Sequence, residues 1–80
     1  MDRDRERLVR ILYEEKRIPD FNIEIKKISY SDGVKIYFEK VGWIIVRFSG
    51  TEPLLRVFCE MDTEEGAARV SRKMKEFLKL

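Results

Sequence analysis

Eighty residues make one domain at most, and a chain of that length buries only about 60% of the surface its unfolded form exposes, which excludes a deep enclosed cleft. Seventeen basic and fifteen acidic residues leave a net charge of +2, too small to attract nucleic acid by bulk electrostatics, so any anion binding must be local. Hydrophobic residues at 44%, with charges of both signs making up 40%, describe a folded module and not a disordered chain.

The lone cysteine, Cys59, cannot form an internal disulfide and sits in an apolar run, where it reads as a small buried residue suited to a reducing, intracellular compartment. No apolar stretch approaches the roughly 18 residues of a membrane helix. Residues 1–7 are charged and lack the apolar core of a signal peptide. The expected location is cytoplasmic, with no membrane partner.

In chain order, the spacing predicts a helix over residues 3–16, with Leu8, Val9, Ile11 and Leu12 as its apolar stripe and Glu6 four residues before Arg10. Pro19 and Asp20 are expected to end it. The charges of residues 2–7 alternate in sign, which suits a solvated helix face better than a nucleic-acid tail. From Asn22 to Cys59 the apolar period changes to two. Ile28 and Tyr30, then Val34, Ile36 and Phe38, alternate with polar residues across a three-residue loop, Ser31-Asp32-Gly33, whose glycine stands where a left-handed conformation is needed. Ile23 and Ile25 are out of phase with Ile28, predicting a bulge near Lys26 and Lys27. A second turn at Lys40-Val41-Gly42 leads to a third strand over residues 43–48, with Ile36 expected opposite Val46 and Phe38 opposite Ile44.

The densest stretch of polar chemistry follows: Arg47-Phe48-Ser49-Gly50-Thr51-Glu52-Pro53, then Arg56. Arginine presents a planar fork of donors that matches phosphate oxygens, while serine, threonine and exposed backbone amides supply further hydrogen bonds. If Phe48 pairs with Leu55, Val46 meets Val57 and Ile44 meets Cys59. Arg47 then stands directly opposite Arg56 at the mouth of the loop. Two like charges opposed across a strand pair are unfavourable unless an anion lies near them. The plainer alternative is a pair of surface arginines flanking ordinary turn residues. Glu52 has no partner acid or metal in view and reads as a structural partner of an arginine or of the loop backbone, not as a general base.

A last helix is expected after Asp62 or Thr63, with Glu65 as the reciprocal partner of a capping box on Asp62. Ala67, Val70, Met74, Phe77 and Leu78 form its stripe, and Lys73, Lys75 and Lys79 lie toward the end that favours cations. The predicted architecture is α+β: one domain over residues 1–80, a four-stranded antiparallel meander with both helices on one face. The other face carries Tyr37, Trp43, Ile45 and Phe58 beside the arginines, an apolar surface suited to a partner. A stand-alone module that stacks RNA bases, or binds a protein, on this aromatic and arginine face is the alternative functional reading.

The stretch from Arg47 to Pro53, with Leu54-Leu55-Arg56-Val57 after it and Asp32-Gly33-Val34-Lys35 before it, resembles the C-terminal domain of the α-D-phosphohexomutases: the phosphoglucomutases, phosphomannomutases and phosphoglucosamine mutases. The resemblance runs from about Ser31 to the C-terminal helix. It implies a fold like that of the TATA-binding protein, and a loop that binds the phosphate of the sugar that is not being transferred. The implied ligands are Arg47, Ser49, the Gly50 backbone and Thr51, with Arg56 at a position matched in many members. Phe48 stands where many members of that family have proline or another residue. The family's phosphoserine, its Mg²⁺-binding aspartates and its sugar-selecting loop belong to its other three domains. The chain therefore reads as the fourth domain alone, holding no catalytic residue and no cofactor, with a hexose phosphate and the remaining mutase domains as its partners.

Overall fold

The computed structural model describes residues 2–50 and 55–80, with side chains from residue 4 onward within those spans. Helix α1 (Asp2–Val9) runs directly into a five-residue π-helical stretch (Arg10–Glu14), closed by the Glu15 amide donating to the Arg10 carbonyl at 2.7 Å. The expected single α-helix is thus widened in its second half. It also ends earlier than Pro19, because Lys16 takes a left-handed φ of 53° and turns the chain. Leu8 and Leu12 are buried, while Tyr13 lies 6.2 Å from the rings of both Tyr30 and Phe48. The apolar residues therefore still reach the sheet despite the changed winding.

Four strands follow as a meander in the order β1-β2-β3-β4: β1 (Ile25–Ser29), β2 (Val34–Phe38), β3 (Gly42–Phe48) and β4 (Leu55–Met61). The expected bulge is present between Ile25 and Lys27, and Gly33 turns the first hairpin with φ of 81°. The β2–β3 register differs by two residues from the expected one. Ile36 faces Ile44, Val34 faces Val46 and Phe38 faces Gly42. The left-handed turn residue is Lys40, with φ of 70°, which frees Gly42 to begin the strand. Gly42 is needed there for a different reason: a Cβ on it would lie 2.0 Å from the Glu60 carbonyl oxygen of the paired strand β4. A two-residue slip keeps every side chain on its own face, so the core survives the change. The β3–β4 pairing is as expected, including Arg47 opposite Arg56.

Helix α2 (Glu64–Leu78) is capped by Thr63, whose Oγ1 accepts from the Gly66 amide at 2.9 Å. The box expected between Asp62 and Glu65 does not form, because the cap falls one residue later and its third position is Gly66, which has no side chain to return a bond. The helix closes on Lys79 in the left-handed conformation, with Leu80 donating to the Lys75 carbonyl at 2.9 Å. Both helices press on one sheet face. Leu8 and Leu12 from one, and Val70, Met74 and Leu78 from the other, join Phe21, Val34, Ile36, Phe38, Ile44, Val46 and Leu55 in a single core. Phe21 meets Phe38 edge to face at 5.1 Å, and the Lys73 ammonium donates to the Asp20 carbonyl at 2.7 Å, tying the first loop to α2.

The other face is less apolar than expected. The Lys35 ammonium lies 4.3 Å from the centre of the Trp43 ring and 4.9 Å from that of Tyr37, and Lys27 covers Tyr37 at 4.8 Å. Among the described residues, Phe58 and Leu80 are the exposed large hydrophobics. The aromatic strip is thus largely roofed by lysine stems.

Because Gly42 combines a positive φ with a carbonyl in the way of any Cβ, Gly42→Ala should cost about 2–3 kcal/mol of stability. Urea denaturation followed by circular dichroism measures this; a loss below about 0.5 kcal/mol would show that the β3–β4 crossing has slack.

Candidate anion-binding site at the mouth of the third hairpin

Strand β3 alternates Ile44 and Val46 inward with Ile45 and Arg47 outward, and β4 does the same with Leu55 and Val57 against Arg56 and Phe58. The two arginines share the outer face because the ladder pairs them directly. Both are exposed. Phe48, the last residue of β3, is held between the Arg5 guanidinium, 4.7 Å from its ring centre, and the Tyr13 ring. The start of the loop is therefore fastened to α1 and its π-helical extension.

The two guanidiniums have different partners. Arg56 donates from Nε to the Ser49 hydroxyl at 3.4 Å, which brings Ser49 to the arginine pair. Arg47 lies 3.4 Å from the Asp32 carboxylate in an ion pair open to solvent on both sides. Asp32 is the residue that the sequence reading missed. The expected β2–β3 register would have set Lys35 across from Arg47. The observed one continues past the Val34–Val46 pair to Gly33 and delivers Asp32 to the guanidinium. The available signal was the Asp-Gly tip itself, read as turn chemistry and as part of the resemblance but not as a neighbour of Arg47.

Gly50 is exposed, and a Cβ on it would meet nothing within 4 Å, so the space before its backbone is open. Thr51, the remaining expected ligand, lies outside the described residues, as do Glu52 and Pro53. A shallow hollow of about 410 Å³ extends from Arg47 along the outer face between Asp32, Lys35, Trp43 and Phe58. The arrangement presents guanidinium donors, a hydroxyl and open backbone within one turn of chain. All of these groups can donate hydrogen bonds to an anion.

The other reactive groups lie elsewhere. Burial pushes the Cys59 thiol up, the Lys75 ammonium opposes this, and Sγ donates to the Ala67 carbonyl at 3.4 Å. Burial likewise raises the Tyr13 phenol, and the Asp32 carboxylate adds to the shift. Among the described residues no three His, Cys, Asp or Glu side chains stand close enough to hold a metal ion, and no helix is long and apolar enough to cross a membrane.

Fold and site together define a small α+β domain that presents an arginine-flanked hairpin. Residues 4–77 match the model of the phosphoglucomutase/phosphomannomutase C-terminal domain, and the chain belongs to that family. It is 35% identical over 77 residues to a probable phosphoglucosamine mutase of Methanosphaera stadtmanae, covering 96% of this chain and 17% of that protein. It is 46% identical over 54 residues to a phosphoglucomutase/phosphomannomutase of Thermococcus kodakarensis, covering 68% of this chain and 10% of that one. A phosphoglucosamine mutase of Staphylococcus haemolyticus shares 36% identity over 67 residues, covering 84% of this chain and 14% of the relative. The chain thus spans less than a fifth of the length of these relatives. No solved structure matches it significantly.

Since the thiolate is the reactive form and burial raises the Cys59 thiol, Cys59 should react with a disulfide reagent near neutral pH more slowly in the folded chain than in the unfolded one. Absorbance of the released thiol measures this. Equal rates would mean that the thiol is not held away from ionisation.

Proposed function

We propose that this domain clamps the phosphate of a hexose phosphate that is not being transferred, within a larger enzyme that moves a phosphoryl group between a serine and O1 or O6 of the sugar. The observation that carries the reading is the direct opposition of Arg47 and Arg56 beside Ser49, an arrangement whose repulsion a bound anion relieves. The names of the relatives supply the substrate class: glucose, mannose or glucosamine phosphates. In this reading Arg47 and Arg56 meet the phosphate oxygens, while Ser49, the Gly50 amide and Thr51 complete the cradle.

The chemistry of this domain is positioning. A mutase must accept its sugar in two orientations, so a clamp that reads only the phosphate, through charge and generic donors, tolerates both. Each charge-assisted bond contributes about 1.5–3 kcal/mol in a closed site and less in the open domain. The serine nucleophile and the Mg²⁺ ligands belong to the parts of the enzyme outside these residues. The domain alone is not catalytic, and the parent enzyme works in the cytoplasm.

Millimolar glucose 1-phosphate should shift the amide resonances of Ser49 and Gly50 in the labelled chain, and Arg47→Ala should weaken that binding about tenfold or more. Shifts that survive the substitution unchanged, or binding of single-stranded RNA at physiological salt centred on Trp43 and Phe58, would overturn the reading. In the full-length enzyme Arg47→Ala should act mainly on KM, lowering kcat/KM about ten- to a hundredfold, with the melting temperature of the isolated domain held within about 2 °C because the side chain is exposed. A comparable loss of stability would instead make the arginine structural.

A further inference from the structure

Resting on the phosphate reading, we propose that Asp32 is a resident counter-ion of Arg47 that every incoming anion must displace, so that the site holds a phosphate monoester at concentrations where a single carboxylate does not bind. The tip of the first hairpin lies directly against the arginine. A Cβ on Gly33 would stand 2.8 Å from Arg47 Cγ and 2.5 Å from the Val46 carbonyl oxygen, so the glycine is what lets the tip approach. From there Asp32 Oδ1 reaches Arg47 NH2 at 3.4 Å.

The pair is weak by construction. Half of the Arg47 side chain and 73% of the Asp32 side chain are open to solvent, and exposed pairs gain little from their attraction. A weak partner can be displaced. Its effect on which anions bind follows from charge. Arg56, by contrast, donates to a neutral hydroxyl, so the pair of arginines is biased on the Arg47 side. A single carboxylate arriving at the site offers Arg47 no more than Asp32 already supplies, and it meets the repulsion of Asp32 as well. A phosphate monoester, close to two negative charges near neutral pH, offers both guanidiniums more charge and more acceptor oxygens. Asp32 therefore taxes every anion alike, and only the stronger ligand overcomes the tax. While the site is empty the same carboxylate offsets part of the like-charge contact between Arg47 and Arg56, and a bound phosphate relieves the rest.

The test compares the chain with Asp32→Asn and Asp32→Glu, reading the Ser49 and Gly50 amides during titration with glucose 1-phosphate and, separately, with glucuronate, a sugar of similar size bearing one carboxylate. The unaltered chain should bind the phosphate and show no response to glucuronate at the same concentration. Asp32→Asn should bind glucose 1-phosphate about two- to fivefold more tightly and acquire measurable glucuronate binding, whereas Asp32→Glu, which keeps the charge, should stay near the unaltered chain. A merely structural role would not raise affinity. Phosphate binding that Asp32→Asn leaves unchanged or weakens, with glucuronate still silent, overturns the inference alone. An unaltered chain that gives no phosphate-dependent shift at Ser49 or Gly50 overturns the phosphate reading and the inference with it.

Discussion

The loop end of the sheet depends on the ladder between β3 and β4. Because side chains alternate on a strand, the pairings that send Val46 and Val57 into the core also bring Arg47 and Arg56 together on the outside. Burial therefore enforces the charge cluster. The arginines cannot separate without turning Ile44, Val46 and Leu55 into water, and that cost far exceeds the repulsion between two exposed guanidiniums. A cluster of unfavourable charge is thereby held in place by apolar packing on the opposite face.

Three other contacts refine that placement. Phe48 is anchored by Arg5 and Tyr13, the Asp-Gly tip of the first hairpin rests on Arg47, and Ser49 bonds to Arg56. Each comes from a different part of the chain, so the mouth of the third hairpin is a meeting point of α1, the first hairpin and β4.

Much of this was legible in the sequence where a strict period of two met a recognisable turn. The third hairpin was readable because its motif fixes the loop length and the apolar residues fix the face. The bulge at Lys26 was readable because Ile25 and Ile28 cannot share a face without it. The second hairpin misled because Gly42 looks like a turn residue, whereas the left-handed position falls to Lys40 and the glycine answers a clash with the neighbouring strand β4. No local signal reports such a clash. The two-residue slip that follows is invisible to hydrophobic patterning, yet it replaces Lys35 with the Asp-Gly tip as the neighbour of Arg47. The widened helix was equally hidden, since Leu8 and Leu12 suit either winding. The lysine roof over Tyr37 and Trp43 depends on flexible stems whose direction residue types do not disclose.

The bulge in β1 has a consequence for how the molecule meets its own kind. A meander leaves two open flanks, and β1 is one of them. An unpaired strand is a template on which another chain can extend a sheet without limit. Here the ladder is broken by the extra residue at Lys26, and Lys26 and Lys27 are both exposed there. An incoming strand would meet an interrupted row of hydrogen-bonding groups and two adjacent ammonium charges. The irregularity that keeps the isoleucines of β1 in phase with the core thus also guards that flank against fibre-like association.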